Sequence, residues 1–67
     1  MESFIEVVSA DDLNRCLIPI SSIICIEEIP DKHNAHIFIF RGKKRLYGVI
    51  TLESYREVVE RIKAAVE

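Results

Sequence analysis

Short apolar runs separated by polar breaks fill most of this chain, and only the C-terminal stretch changes period. Phe4-Ile-Glu-Val-Val is a β-branched run that predicts a first strand. Ser9-Ala-Asp-Asp-Leu-Asn is a break with turn chemistry, because Asp and Asn side chains bond nearby backbone amides. Arg15-Cys-Leu-Ile-Pro-Ile predicts a second strand, which Pro19 ends or holds at an edge, since proline has no amide to donate. A third strand over Ser22 to Ile29 would turn Ile24 and Ile26 to one side and Ile23, Cys25 and Ile29 to the other.

After the polar turn Pro30-Asp-Lys-His-Asn, the run His36-Ile-Phe-Ile-Phe predicts a fourth strand. It places Ile37 and Ile39 on one face and Phe38 and Phe40 on the other. Arg41-Gly-Lys-Lys reads as a hairpin turn in which Gly42 can take positive φ. Arg45 to Ile50 then predicts a fifth strand, with Tyr47 and Val49 opposite in sense to Leu46 and Ile50. No internal repeat, linker or low-complexity segment interrupts the series.

Beyond Ile50 the period becomes helical. Leu52, Tyr55, Val59, Ile62 and Val66 fall on one stripe, widened by Val58 and Ala65. Two start signals compete: Thr51 as N-cap with Glu53 in the first turn, and the capping-box pattern Ser54-Tyr-Arg-Glu57. Thr51 is the preferred start because it brings Leu52 into the stripe. Glu57 and Arg61 form an i,i+4 pair in the favourable order.

These elements predict a single α+β domain over 1–67: a small, curled, mainly antiparallel sheet of four to five strands with one C-terminal amphipathic helix. The strands are apolar on both alternations, yet one helix covers one face. The second face must be closed by barrel curvature or by another chain. Leaving Ile and Phe side chains wet forfeits roughly 1.5–3 kcal/mol each. The expected result is a homo-oligomer or a module with an apolar docking face, centred on Ile24, Phe38 and Phe40.

Size sharpens this expectation. A chain of 67 residues buries only about 60% of its unfolded surface. With 49% hydrophobic and 30% charged residues it still has enough apolar area to fold. The net charge of −2 gives no general attraction to nucleic acid or anionic membranes. Its distribution is lopsided. Residues 1–40 carry two basic against seven acidic side chains, and residues 41–67 carry seven against four. Much of the positive share is Arg41, Lys43, Lys44 and Arg45. No secretory signal and no bilayer-length apolar run is present, so the expected address is the cytoplasm, without membrane insertion and with reduced cysteines.

Little catalytic chemistry can be assembled from this inventory. Cys16, Cys25, His33 and His36 are zinc-ligand types, but the cysteines are too far apart for a zinc knuckle. Cys25 reads as a small buried hydrophobe. No nucleophile elbow is present, and Gly42 and Gly48 are too few to cradle a phosphate. Glu27 and Glu28 are adjacent on a strand and diverge, so they cannot flank one bond. The expectation is a non-enzymatic protein without metal or cofactor.

The basic hairpin is the strongest candidate contact surface. Arg41, Lys43, Lys44 and Arg45 at the end of a β-ribbon, with Phe40 and Tyr47 nearby, could track a phosphate backbone and stack a base. The competing reading is a solubilising turn that also guards a strand edge or meets an acidic protein surface. The net negative charge favours the second reading.

One resemblance adds to this. Ile20, Ile23-Ile-Cys-Ile-Glu-Glu, Pro30-Asp, the following strand, Gly42-Lys-Lys-Arg-Leu-Tyr and Leu52-Glu-Ser-Tyr-Arg-Glu-Val-Val-Glu-Arg-Ile resemble small flagellar and swarming proteins of the FlbD/SwrD type. It covers about residues 17–63 and implies a bacterial cytoplasmic protein acting non-enzymatically in motility. The N-terminal part differs, with Ala10-Asp-Asp-Leu-Asn-Arg where that family would place an Asn-Gly turn. Leu17-Ile-Pro-Ile-Ser-Ser-Ile-Ile-Cys-Ile-Glu also resembles the first part of LytTR DNA-binding domains. The basic, aromatic second half of that domain is missing from this sequence, so DNA binding does not carry across.

Overall fold

The computed structural model describes residues 3–42 and 45–66. Among them the chain runs through β1 (Phe4–Val8), β2 (Arg15–Pro19), a 3-10 turn (Ile20–Ser22), β3 (Ile23–Glu28), β4 (Asn34–Arg41), β5 (Arg45–Ser54) and α1 (Tyr55–Val66). The fold is α+β, and its paired strands are antiparallel. They divide into a β1–β2 hairpin and a three-stranded sheet in the order β3-β4-β5. The two sheets touch at an isolated bridge between Ser9 and Thr51, where the Ala10 amide also donates to the Ile50 carbonyl at 2.7 Å. The sheets do not close into a barrel.

Alternation explains the core. Ile5 and Val7 of β1, Ile18 of β2, Ala35 and Ile37 of β4, and Val58 of α1 form the buried cluster. Ile26 and Val49 stand directly opposite Ile37 on either side, so one face of the three-stranded sheet is turned inward as a unit. The helix and the β1–β2 hairpin pack on that same face.

The helix begins later than the preferred sequence reading. Ser54 is its N-cap, accepting from the Glu57 amide at 3.1 Å, so the capping box prevails over Thr51. Thr51 is instead a fully buried strand residue, and β5 runs on to Ser54. Leu52 is 55% exposed and takes no part in the helical stripe. Val58 is the fully buried residue of α1, flanked by partly buried Tyr55, Ile62 and Ala65, while Val66 is exposed.

Thr51 holds an irregular join. Its hydroxyl accepts from the Ala35 amide at 3.2 Å and gives its single proton to the Glu53 carbonyl at 2.8 Å, with the Ala35 carbonyl at 3.3 Å as a second acceptor in reach. The β4–β5 register shifts between Asn34 and His36, leaving Ala35 without an ordinary ladder partner there. Thr51 supplies the missing hydrogen bonding from its side chain.

A second shift corrects the face assignment of β3. The register slips between Ile23 and Cys25, so Ile23 pairs with Ile39 and Ile26 pairs with Ile37. Ile23 and Ile26 therefore share the inward face, against strict alternation, because a bulge at Ile24 adds one residue.

The β1–β2 and β3–β4 loops have the same backbone form, a structural repeat that the sequence reading did not find. In one, Ser9 donates to Asn14 and Leu13 donates back to Ser9, both at 2.9 Å. In the other, Ile29 donates to Asn34 at 2.9 Å and His33 donates back to Ile29 at 2.7 Å. The residue before each Asn is left-handed: Leu13 at φ 62° and His33 at φ 61°. In the first loop the Asn14 amide bonds the Asp12 carboxylate at 3.1 Å, and mainly this bond holds the Asp12 carboxyl below its ordinary range.

The second loop also positions α1, because the Tyr55 amide donates to the His33 carbonyl at 2.7 Å. A charged clamp fixes the other side. Glu53 takes the Val8 amide at 3.1 and 3.2 Å on its two oxygens and Arg61 at 2.9 Å. Arg61 further donates to the Glu6 carbonyl at 2.7 Å, tying α1 to β1 and β5 at once. The expected Glu57–Arg61 pair forms at 3.7 Å.

Candidate interaction face

The outward face of the three-stranded sheet follows from the same registers. Phe38 stands opposite Cys25 and Gly48, His36 opposite Glu27 and Ile50, and Phe40 opposite Leu46. None of the residues on this face belongs to the core cluster or packs against it. Three large apolar side chains lie open around it: Ile24 is 54% exposed, Phe40 46% and Leu46 64%. Phe38 is only half-buried, although it lies at the middle of the sheet. Its ring stacks against His36, with centroids 4.2 Å apart and planes tilted by 30°.

The candidate residues Ile24, Phe38 and Phe40 thus come together on one uncovered surface, with Ile24 brought to it by the bulge. Leu46 and Cys25 complete the apolar set. Alternation along β5 pointed to Leu46. Cys25 is exposed rather than the buried hydrophobe that its apolar neighbours suggested.

Of the basic candidates, Arg45 opens β5 at the end of the ribbon, opposite Arg41, and is exposed. Lys43, Lys44 and the side chain of Arg41 lie outside the described residues. The opposite end of the sheet is acidic. Glu27 and Glu28 close β3, and Asp31 follows in the loop. Glu28 is turned toward His33, with Oε2 3.2 Å from Nδ1, while Glu27 lies on the outward row beside His36.

A concavity of about 470 Å³ opens where β2 faces the β4–β5 ribbon, between Cys16, Leu17, Ile39, Tyr47 and Val49. Its walls are chiefly aliphatic. Among the described residues, no three His, Cys, Asp or Glu side chains gather into a metal-holding group. Cys16 and Cys25 lie in different sheets as free thiols. No helix among the described residues is long and apolar enough to cross a membrane. Searches by family model, by curated sequence and by solved structure find no match to this chain.

Proposed function

We propose that this chain is a non-enzymatic protein-interaction module that self-associates through the outward face of its three-stranded sheet. The observation that carries this reading is the open set Phe38, Phe40, Leu46 and Ile24, on the sheet face opposite the one against which α1 and the β1–β2 hairpin pack. Burying that set against a partner removes apolar area from water, the dominant favourable term in association. Charges at the two ends of the sheet set orientation rather than supply affinity. The resemblance to FlbD/SwrD-type proteins supports a cytoplasmic role in bacterial motility, tested by whether deleting the gene impairs swarming.

The test is molar mass by light scattering over a wide concentration range. Wild type should rise above the monomer mass, and a Phe40→Ser/Leu46→Ser variant with an unchanged circular dichroism spectrum should not. Equal masses for the two proteins would overturn the reading.

A nucleic-acid-binding alternative rests on the ribbon end, where Phe40, Leu46 and Tyr47 are exposed beside Arg45. It requires binding that falls steeply with salt and collapses in a Lys43→Glu/Lys44→Glu variant. Lack of binding to single- and double-stranded probes at low salt would dismiss it.

A further inference from the structure

The concavity between β2 and the β4–β5 ribbon has unlike ends. Ser22 precedes Ile23, which pairs with Ile39, and Ile39 pairs with Tyr47, so Ser22 and Tyr47 line it near one level of the sheet. Val49 lies one step further in, opposite the fully buried Ile37. Arg45 lies one step further out, on the same face of β5 as Tyr47 and Val49 by alternation. The outer end therefore has two hydroxyl-bearing side chains and, beyond them, an exposed guanidinium. Cys16, Leu17, Ile18, Pro19 and Val49 make the remaining wall apolar, and no acidic side chain is among the described lining residues.

We infer that this concavity binds a free aliphatic carboxylate, with its chain along Leu17, Ile18 and Val49 and its head group toward Arg45. The volume of about 470 Å³ falls in the range of small-molecule sites, roughly 300–1,000 Å³. Such sites are mostly apolar, with a few polar groups that fix the orientation of the ligand. The charge at the outer end selects the head group. A guanidinium attracts an anion, repels an ammonium, and matches the two oxygens of a carboxylate with its planar fork. The site lies on the inward face of the ribbon, so it is independent of self-association through the outward face.

A peptide strand fits this place less well. The Ser9 amide bonds Asn14 and the Ile20 amide bonds Ser3, so alternation turns the Cys16 and Ile18 amides toward β1. Leu17 and Pro19 face the free edge of β2, and proline has no amide to donate. Strand addition draws its affinity from main-chain hydrogen bonds. Over Cys16–Pro19 this edge has only the Leu17 amide as donor.

The experiment titrates the full chain with decanoate and, separately, with decylammonium, read by calorimetry and by alkylation of the two thiols. Cys16 lines the concavity, whereas Cys25 is exposed opposite Phe38 on the other face. Mass spectrometry after iodoacetamide treatment therefore separates binding at the site from binding elsewhere. Decanoate should bind with a Kd on the order of 0.1–1 mM and slow alkylation of Cys16 severalfold, with Cys25 unchanged. Decylammonium should bind about tenfold more weakly. Arg45→Gln should weaken decanoate about fivefold. Leu17→Asp, which sets an anion on the wall at a position 67% exposed, should abolish the protection of Cys16. Both variants are checked for an unchanged circular dichroism spectrum. Unchanged alkylation of Cys16 at about 10 mM decanoate, well above the expected Kd, would overturn the inference. So would equal protection by decylammonium, or a decanoate affinity unmoved by Arg45→Gln.

Discussion

The imidazole of His36 occupies the room that a side chain at position 48 would need: Nε2 lies 2.5 Å from where a Gly48 Cβ would stand. Replacing a strand glycine by alanine ordinarily stabilises by about 0.5–1 kcal/mol, since glycine loses more freedom on folding. Here the new methyl must displace a ring that is stacked on Phe38. Gly48→Ala should therefore destabilise the protein by about 1 kcal/mol, yet become stabilising in a His36→Ala background. Urea unfolding of the four proteins of this cycle gives the coupling, and additive effects would contradict the account.

Thr51 offers a cleaner test of a single hydroxyl. Thr51→Val keeps shape and strand preference but leaves the buried Ala35 amide without its acceptor. The expected loss is about 1–3 kcal/mol, with Thr51→Ser recovering most of it. A valine variant as stable as wild type would show that backbone or water replaces the bond.

Glu53 predicts an acid limb. Partial burial on its own would raise this carboxyl, but the Val8 amide, its own backbone amide and Arg61 outweigh that and hold it below the ordinary 4.5. A carboxyl lowered in the folded state contributes stability that is fully present above its unfolded value. That contribution is lost as pH falls through the folded value. Glu53→Gln should thus cost about 1–2 kcal/mol near pH 7 and flatten the fall in stability below about pH 4.5. Melting temperatures between pH 3 and pH 7 measure both; parallel curves would remove Glu53 from the account.

Leu13 sits in a left-handed conformation with 66% of its surface exposed, so its side chain contributes little packing to offset the strain. A left-handed non-glycine residue costs about 1–2 kcal/mol, part of which glycine returns as extra freedom when unfolded. Leu13→Gly should stabilise by about 0.5–1 kcal/mol, read as a higher urea midpoint with an unchanged slope. A lower midpoint would mean that Leu13 makes a contact worth more than the strain.

Much of the fold is visible in the period of the apolar residues. Phe4 to Val8 reads as a strand because its branched side chains suit a pleated surface, and the stripe through Tyr55, Val58 and Ile62 reads as a helix by spacing alone. The separation of Ile37 and Ile39 from Phe38 and Phe40, on which the candidate face depends, is equally plain. What fails is local wherever tertiary partners decide. Thr51 is a good cap in isolation, and only the buried amide of Ala35 makes it a strand residue. Ile23-Ile-Cys-Ile is apolar on both alternations, so nothing in its pattern marks where the extra residue sits. The two loops have no glycine at their left-handed positions, which hides that they share one form.

The bulge at Ile24 bears on more than the face it feeds. β3 is one of the two outer strands of its sheet, and an outer strand with a straight run of free amides and carbonyls invites another chain to add on, then another, into a fibre. The slip between Ile23 and Cys25 breaks that run in the most apolar stretch of the sequence. Growth along the edge is thereby discouraged, while the broad side of the sheet stays available. Under the proposed self-association, assemblies should accordingly stop at a finite number of copies, and the same residue that widens the apolar surface disfavours filament growth from the β3 edge.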